Sequence, residues 1–259
     1  MHGSQSQALT GDRRWLKRFS RPSPGGVQLL CFHSGGASAG MFRHWATLAA
    51  PGIDVVAVQL PGRADRFGES PYRRMGPLID DFITAVEPLL AQPFALYGTS
   101  MGARVAWAFA HELRERALPQ PRALYVAASA APCLDDGNWT WEGRDDGLEG
   151  YVREMGGTPA EVLAEPQLLA VLLATLDADL TVLSTHGFQP AAPLDLPIHA
   201  FAGSDDPESP PERMMGWKAE TTAGFDLTSV PGGHFFDREG DSLVIETIGA
   251  DLGLGREKP

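Results

Sequence analysis

The architecture of this chain is set by residues 94–113, which read FALYGTSMGARVAWAFAHEL. The apolar run 94–97 predicts a buried strand, and the stretch 103–113 predicts a helix. Ser100 lies between them in Gly-Thr-Ser-Met-Gly, on a sharp strand-to-helix turn that is typical of a nucleophile. The glycines on either side let strand and helix approach closely, and the helix N-terminus points its free amides at the serine. The pattern therefore predicts a reactive Ser100 at the end of a strand.

A serine hydroxyl becomes a nucleophile only when a base takes its proton, so a histidine and an acid should follow along the chain. His234 is the candidate base, because it lies in a glycine-containing loop after the predicted strand 225–230. His33 is the competitor, since it ends the predicted strand 27–33 and should reach the same edge of the sheet. Because His33 precedes the serine, we interpret it as a pocket or structural residue.

The candidate acid lies where the apolar strand 197–202 runs into the turn-forming cluster Gly-Ser-Asp-Asp-Pro at 203–207. Loops at strand ends carry catalytic groups, but acids in such a cluster also form simple Asx turns. The order serine, aspartate, histidine favours the catalytic interpretation. We choose Asp206 because it directly precedes Pro207, and Asp205 stays open as the alternative.

Acyl transfer also requires N–H donors for the oxyanion that develops as the carbonyl becomes tetrahedral. The amide of Met101, directly after the serine, is one candidate. The other should come from the loop 34–38, Ser-Gly-Gly-Ala-Ser, after the strand that ends at His33. The backbone is thus expected to supply both donors.

Length and composition indicate a single domain over residues 1–259, with residues 1–22 as an N-terminal extension that need not be rigid. The chain has 259 residues, of which 43% are hydrophobic, and its net charge is −12. This acidic balance disfavours nucleic-acid binding, in which phosphate contacts dominate the affinity, and it disfavours membrane surfaces. No secretory signal is evident, and we expect no segment long and apolar enough to span a bilayer, so the predicted location is cytoplasmic.

The motifs of cofactor and metal sites are missing from the sequence. It has two cysteines, no phosphate-binding loop, no dinucleotide fingerprint and no metal-type spacing of His, Asp and Glu. We therefore expect no cofactor and no metal.

Apolar strands alternate with helical segments along the chain, which predicts a mostly parallel sheet covered by helices on both faces. Strands are predicted at about 27–33, 53–60, 94–97, 123–129, 197–202 and 225–230, and helices near 38–50, 77–90, 101–116, 208–220 and 241–250. Functional sites of such sheets gather at the carboxyl ends of the strands.

Residues 130–193 interrupt this alternation, because they are far more numerous than a crossover needs. Helical patterns fill much of the interval, so it predicts an inserted helical lid. Its segment 166–176 is apolar on nearly every side and should be covered by the core or line a cavity. Trp139 and Trp141 are expected at the mobile edge of this lid.

The chain resembles the stand-alone type II thioesterases of polyketide synthase and nonribosomal peptide synthetase pathways, which have the α/β-hydrolase fold. The resemblance covers about residues 27–250. It is carried by the following motifs: Gly35-Gly36, Gln59-Leu-Pro-Gly-Arg63 with Arg66, the serine turn 98–102, MGGTPAEVL at 155–163, Gly203 through Pro207, and PGGHFF at 231–236. It implies a triad of Ser100, Asp206 and His234, with the oxyanion bound by the backbone N–H groups of Gly35 and Met101.

Two positions depart from the family pattern. Thr99 stands where the family usually has histidine, and 33–37 read His-Ser-Gly-Gly-Ala where it usually has Pro-x-Ala-Gly-Gly. The second departure replaces the usual alanine by Gly35, at the expected oxyanion donor. Some related integrated thioesterase domains take their acid after an earlier strand, which would point to Asp135 or Asp136 instead.

The resemblance implies hydrolysis of acyl thioesters from the phosphopantetheine arm of an acyl or peptidyl carrier protein, which would dock transiently on a monomeric enzyme. Such an enzyme clears aberrant or stalled acyl groups. The alternatives are a carboxylesterase or lipase using the same triad, and a non-catalytic binding module of the same fold. Since carrier proteins are often acidic, candidate docking residues are the arginines Arg63, Arg66, Arg73 and Arg74.

Overall fold

The computed structural model describes residues 12–135, 140–187 and 190–254. Seven strands form one central sheet in the order β1-β3-β2-β4-β5-β6-β7. Numbered along the chain, they are β1 Leu16–Arg18, β2 Val27–Phe32, β3 Ile53–Val58, β4 Phe94–Thr99, β5 Leu124–Ala127, β6 Ile198–Gly203 and β7 Phe225–Val230. Strands β2 to β7 pair in parallel, which confirms the predicted mostly parallel sheet.

Strand β1 was not predicted, and it pairs antiparallel with β3 at one edge of the sheet. The three residues of β1 are too few to show a periodicity. Trp15, just before the strand, is 5% exposed and lies in aromatic contact with Tyr72 and Phe82. The described part of the predicted N-terminal extension, residues 12–22, therefore contains a strand that joins the sheet.

The helices are α1 Trp45–Leu48, α2 Met75–Val86, α3 Met101–Glu115, α4 Gly147–Met155, α5 Ala160–Ala164, α6 Pro166–His186, α7 Pro211–Met214 and α8 Arg238–Asp251. Short 3₁₀ helices lie at Ala39–Phe42, Ala64–Arg66, Glu87–Leu89, Pro132–Leu134 and Met215–Glu220.

Two predicted helices are broken into short pieces. The segment predicted at 38–50 consists of a 3₁₀ turn and α1, and α1 ends ahead of Pro51, which disfavours helical conformation in the residue before it. The segment predicted at 208–220 consists of α7 and a 3₁₀ helix, with prolines at its start. Both regions still cover the sheet, so the layers are those predicted.

The central strands are buried on both faces, as their continuous apolar runs predicted. Side chains alternate between two cores: Leu30 and Val56 face a core beneath α2, α3 and α6, while Leu29 and Val55 face a core beneath α1 and α8. Helices thus cover both sides of the sheet, and its carboxyl edge is left for the loops.

The interval between β5 and β6 contains the three helices α4, α5 and α6. Helix α6 packs against α2 and α3, with Leu176 and Leu180 in their shared core. By length and composition α6 could cross a membrane, with 44% of its most apolar window buried, so the expectation that no segment meets these criteria is wrong. Core helices of globular proteins meet the same criteria, and the packing of α6 is of that kind.

Strand β4 and helix α3 approach so closely that two positions admit only glycine. A Cβ atom built on Gly98 would lie 2.2 Å from the carbonyl oxygen of Gly102. A Cβ atom on Gly102 would lie 2.2 Å from the carbonyl oxygen of Phe32, at the end of β2. The turn at Ser100 therefore depends on backbone-to-backbone contact that any side chain would prevent.

Replacing Gly102 by alanine should destabilise the fold, because backbone atoms cannot move aside as a flexible side chain can. We expect Gly102→Ala to lower the free energy of unfolding by at least about 1–3 kcal/mol, as measured by urea denaturation. The matched control is Gly76→Ala in α2, where no heavy atom lies within 4 Å of the new Cβ. It should raise stability by about 0.4–1 kcal/mol. Equal effects of the two substitutions would contradict this account of the turn.

Candidate active site

Ser100 has an unusual backbone conformation between β4 and α3. Its φ is 54° and its ψ is −123°, a region that costs a non-glycine residue about 1–3 kcal/mol. Its N–H donates to the carbonyl oxygen of Ala127, at the end of the neighbouring β5, at 2.8 Å. The strained turn lifts the side chain out of the sheet at the carboxyl edge, as the sequence pattern predicted.

His234 connects the serine to an aspartate. Its Nε2 lies 3.0 Å from Ser100 Oγ, and its Nδ1 lies 2.9 Å from Asp206 Oδ2. A carboxylate only accepts hydrogen bonds, so Nδ1 carries the proton and Nε2 is free to accept from the hydroxyl. The imidazole is thus held in the tautomer that can take a proton from Ser100.

Asp206 is buried and is bound by several donors. Its Oδ1 accepts the N–H of Glu208 at 2.9 Å and that of Ser209 at 3.2 Å, while Oδ2 accepts from His234. Burial raises the pKa of this carboxyl, but the hydrogen bond and charge of His234 and the two backbone donors outweigh it, so the pKa is lowered. The carboxylate therefore remains ionised beside the imidazole.

The neighbouring acids take other positions. Asp205 is exposed and accepts from Ser204 Oγ at 3.2 Å, so Asp206 is the residue of the pair that contacts His234. Asp135, the alternative acid, forms a buried ion pair with Arg104 at 2.9 Å. Asp136 and Trp139 lie outside the described residues.

The two expected oxyanion donors lie beside the serine. Met101 is the first residue of α3, so its N–H has no acceptor within the helix. Gly35 lines one cavity together with Ser100 and His234. The next amide, that of Gly36, donates to Asp179 Oδ2 at 2.8 Å.

His33 lies behind this loop. Its Nδ1 is 2.8 Å from the carbonyl oxygen of Ser34, and its ring is buried. Burial, helped by the charge of Arg63, lowers the pKa of His33 to about 4, so the ring is neutral at ordinary pH. The imidazole that contacts Ser100 Oγ is that of His234.

Ser100 and His234 open onto two cavities of different character. One, of about 100 Å³, has polar and apolar walls in similar measure, and its polar lining includes Arg104, Asp135, Thr140, Tyr151, Glu208 and Arg213. The other, of about 60 Å³, is mostly apolar and is lined also by Val152, Met155, Leu172, Leu176, Leu180 and Phe235. Helices α4 and α6 supply most of the large apolar side chains of the second lining.

Asp179, which contacts the glycine loop from the middle of α6, was not among the predicted site residues. The one available signal was an acidic residue within an apolar helical run. The prediction that Arg63 and Arg66 are docking residues at the surface is wrong, since their side chains are only 6% and 5% exposed. Among the described residues, no group of three or more His, Cys, Asp or Glu side chains is placed to hold a metal.

Comparison with known proteins agrees with this geometry. The family profile described as "Thioesterase domain" matches residues 27–252. The linear gramicidin dehydrogenase LgrE of Brevibacillus parabrevis is 34% identical over 244 residues, which cover 92% of each chain. Its name describes another reaction, whereas the profile that matches the present chain is that of thioesterases.

Solved structures that are similar to this chain are also thioesterases. The RedJ thioesterase from the prodiginine pathway of Streptomyces coelicolor is 32% identical with a TM-score of 0.83, and the match covers 91% of this chain and 95% of RedJ. The type II thioesterase BorB of the borrelidin cluster is 31% identical with a TM-score of 0.80, covering 92% of this chain and 97% of BorB. The expected α/β-hydrolase fold and the resemblance to type II thioesterases are confirmed, and the chain belongs to the thioesterase family.

Proposed function

We propose that this chain is a serine thioesterase that hydrolyses acyl thioesters on the phosphopantetheine arm of acyl or peptidyl carrier proteins. In this role it removes aberrant or stalled acyl groups in polyketide or nonribosomal peptide biosynthesis. The observation that carries the proposal is the continuous hydrogen-bonded line from Ser100 through His234 to Asp206 in a member of the thioesterase family. RedJ is named as a thioesterase of the prodiginine biosynthetic pathway and BorB as a type II thioesterase of the borrelidin biosynthetic cluster, and both are similar to this chain along nearly their whole lengths.

In the acylation step, Ser100 Oγ forms a bond to the thioester carbonyl carbon while His234 Nε2 takes the hydroxyl proton. The N–H groups of Gly35 and Met101 bind the oxyanion. The tetrahedral intermediate then collapses, the carbon–sulfur bond breaks, and His234 returns the proton to the departing thiol. Because a thiol has a pKa of about 8–9, it leaves more readily than an alcohol.

In the deacylation step, water replaces the thiol. His234 takes a proton from the water as its oxygen attacks the acyl-serine carbonyl, and it then gives the proton to Ser100 Oγ as the ester bond breaks. Asp206 holds the imidazole in the required tautomer and stabilises its charged form. These steps use only side chains and backbone amides, so the proposed reaction needs no cofactor.

The two cavities suit the two halves of the substrate. The apolar cavity beside Gly35 fits an acyl chain, since binding sites for such groups are concave and lined by hydrophobic side chains. We propose that helices α4, α5 and α6, the described helices of the interval predicted as a lid, cover the site and exclude water while the acyl group is bound. The amide-containing pantetheine arm would then approach through the other cavity, where Arg104, Thr140 and Glu208 offer hydrogen-bonding groups.

Carrier docking should involve residues at the carboxyl edge of the sheet. Arg74 is exposed at the N-terminus of α2, and Arg73 beside it forms an exposed ion pair with Asp177 of α6. We propose that these two arginines attract an acidic carrier protein locally, against the overall charge of −12. The complex would be transient, with a monomeric enzyme in the cytoplasm.

Replacing Ser100 by alanine tests the reaction itself. We expect Ser100→Ala to lower kcat by a factor on the order of 10⁶ on an acyl-pantetheine thioester, while acyl binding remains. Mass spectrometry of carrier-bound acyl groups, before and after treatment, measures the activity directly. An unchanged rate would remove Ser100 from the mechanism, and a wild-type rate no higher than the uncatalysed background would favour a binding module. Faster turnover of simple oxygen esters than of carrier thioesters would favour a carboxylesterase.

Replacing Asp206 by asparagine should disturb the tautomer of His234 without changing the shape of the site. We expect kcat to fall by about 10⁴ in Asp206→Asn, measured on the same thioester. Asp205→Asn is the matched control and should stay within about twofold of wild type, because Asp205 is exposed and does not contact the imidazole. The reverse pattern would move the acid to Asp205.

Charge reversal at Arg74 tests the docking surface. We expect Arg74→Glu to slow hydrolysis of carrier-bound acyl groups several-fold at low ionic strength and to leave hydrolysis of a small thioester unchanged. Arg122→Glu makes the same charge change at the opposite edge of the sheet, before β5, and should affect neither substrate. Equal losses on both substrates with Arg74→Glu would show that the residue acts on folding or catalysis rather than on docking.

A further inference from the structure

A buried ion pair ties helix α6 to the glycine loop. Arg63 Nη1 lies 2.5 Å from Asp179 Oδ2, and Nη2 lies 2.7 Å from Oδ1. The two side chains are 6% and 3% exposed. Oδ2 of Asp179 also accepts the N–H of Gly36 at 2.8 Å. The carboxylate therefore joins an arginine of one loop, a glycine of another and the helix that carries it.

Two further hydrogen bonds hold the backbone of the glycine loop. The N–H of Ala37 donates to the carbonyl oxygen of Ser34 at 3.2 Å, and the carbonyl oxygen of Ala37 accepts from Arg63 Nη1 at 3.4 Å. Within the part of the chain that the structure describes, the N–H of Gly35 donates to no protein acceptor. Because Gly35 lines the same cavity as Ser100, its N–H is the one that the proposed function assigns to the oxyanion.

Helix α6 also packs directly on the loop. A Cβ atom on Gly35 would lie 2.9 Å from Leu176 Cδ1, and one on Gly36 would lie 3.0 Å from Leu172 Cδ1. Gly36 has a φ of +71°, which a side chain would strain in addition. The loop therefore has little freedom to move while α6 stays in place.

We propose that Asp179, held by Arg63, is a positioning residue for oxyanion binding, and that α6 is a fixed wall of the site rather than its moving gate. The proposal rests on the proposed function, in which Gly35 binds the oxyanion. Asp179 fixes the peptide unit between Gly35 and Gly36 through the Gly36 N–H, and Ala37 binds the carbonyl oxygen of Ser34 in the preceding unit, which carries the Gly35 N–H. Asp179 thus limits the orientation of the Gly35 N–H by fixing the peptide unit that follows it.

Charge explains why the arginine is required. An unpaired carboxylate so close to the glycine loop would repel the developing oxyanion. Arg63 neutralises it through two parallel hydrogen bonds, an arrangement that also fixes its orientation. Asp179 can then act as an acceptor for Gly36 without opposing the charge that the neighbouring amide stabilises.

The first variant is Asp179→Asn. Both carboxylate oxygens of Asp179 accept hydrogen bonds from Arg63 or Gly36. The NH₂ group of an asparagine at this position would face one of these donors and could not accept its hydrogen bond. We expect kcat on an acyl-pantetheine thioester to fall by about 10–100-fold with KM within about threefold, since loss of one oxyanion donor costs about 10²–10³ in kcat. The affinity for an alkylboronic acid, which forms a tetrahedral adduct with the serine oxygen, should fall in parallel.

The double variant Arg63→Met/Asp179→Leu tests the proposal even if Asp179→Asn does not fold. Well-packed apolar residues often replace a buried ion pair without loss of stability. The double variant should remain folded, with kcat lowered at least as far as in the single variant. Asp177→Asn is the matched control on the same helix, where the carboxylate is 56% exposed. It should leave the kcat for the small thioester and the boronic acid affinity unchanged.

A folded double variant with wild-type kcat and boronic acid affinity would overturn the proposal. The proposal would also be overturned if the loss of activity in the variants matched the loss of folded protein, which indicates a structural role. A change in KM with kcat unchanged would overturn it too, because it indicates a role in substrate binding. If the wild-type chain binds the boronic acid but does not hydrolyse the thioester, the proposed function fails. An affinity for the boronic acid that still depends on Asp179 would then support the positioning role by itself.

Discussion

The backbone of Ser100 is the constraint on which the rest of the structure depends. A non-glycine residue with a φ of 54° is strained, and the strain persists only because the surroundings determine the turn. Those surroundings are the hydrogen bond from its N–H to Ala127 and the contacts of β4, α3 and β2 through Gly98 and Gly102. The seven-stranded sheet therefore acts as the frame that holds one side chain above its edge.

Parallel pairing explains why distant residues meet at that edge. Ser100, Asp206 and His234 follow β4, β6 and β7, whose carboxyl ends all lie on one side of the sheet. The close approach of the last two loops is visible at Gly203, where a Cβ atom would lie 2.2 Å from the carbonyl oxygen of Gly233. Because each loop starts from a rigid strand, the three side chains need little further ordering to come into contact.

The features that the sequence could predict are those with local signals. Short sequence patterns mark the serine turn, the apolar strands and the order of serine, acid and base. These patterns single out Ser100, Asp206 and His234, which the structure brings into contact. Strand β1 carries too few residues for a pattern and depends on the burial of Trp15. The partners of Arg63 could not be predicted, because Asp179 is 116 residues away and nothing local links the two. Long-range pairing of buried charges is decided by packing, which a single sequence does not display.

Helix α6 shows why packing matters for the chemistry. It is apolar enough to satisfy the length and composition of a membrane span, yet it buries the carboxylate of Asp179. A buried ion pair contributes little to stability compared with apolar residues of similar volume, so stability alone does not account for a charge at this position. The N–H of Gly36 needs an acceptor that reaches it from the helix, and a carboxylate of this length provides one. The glycine loop thus explains why α6 carries a carboxylate at Asp179. The apolar residues around Asp179 pack in the core or line the cavity.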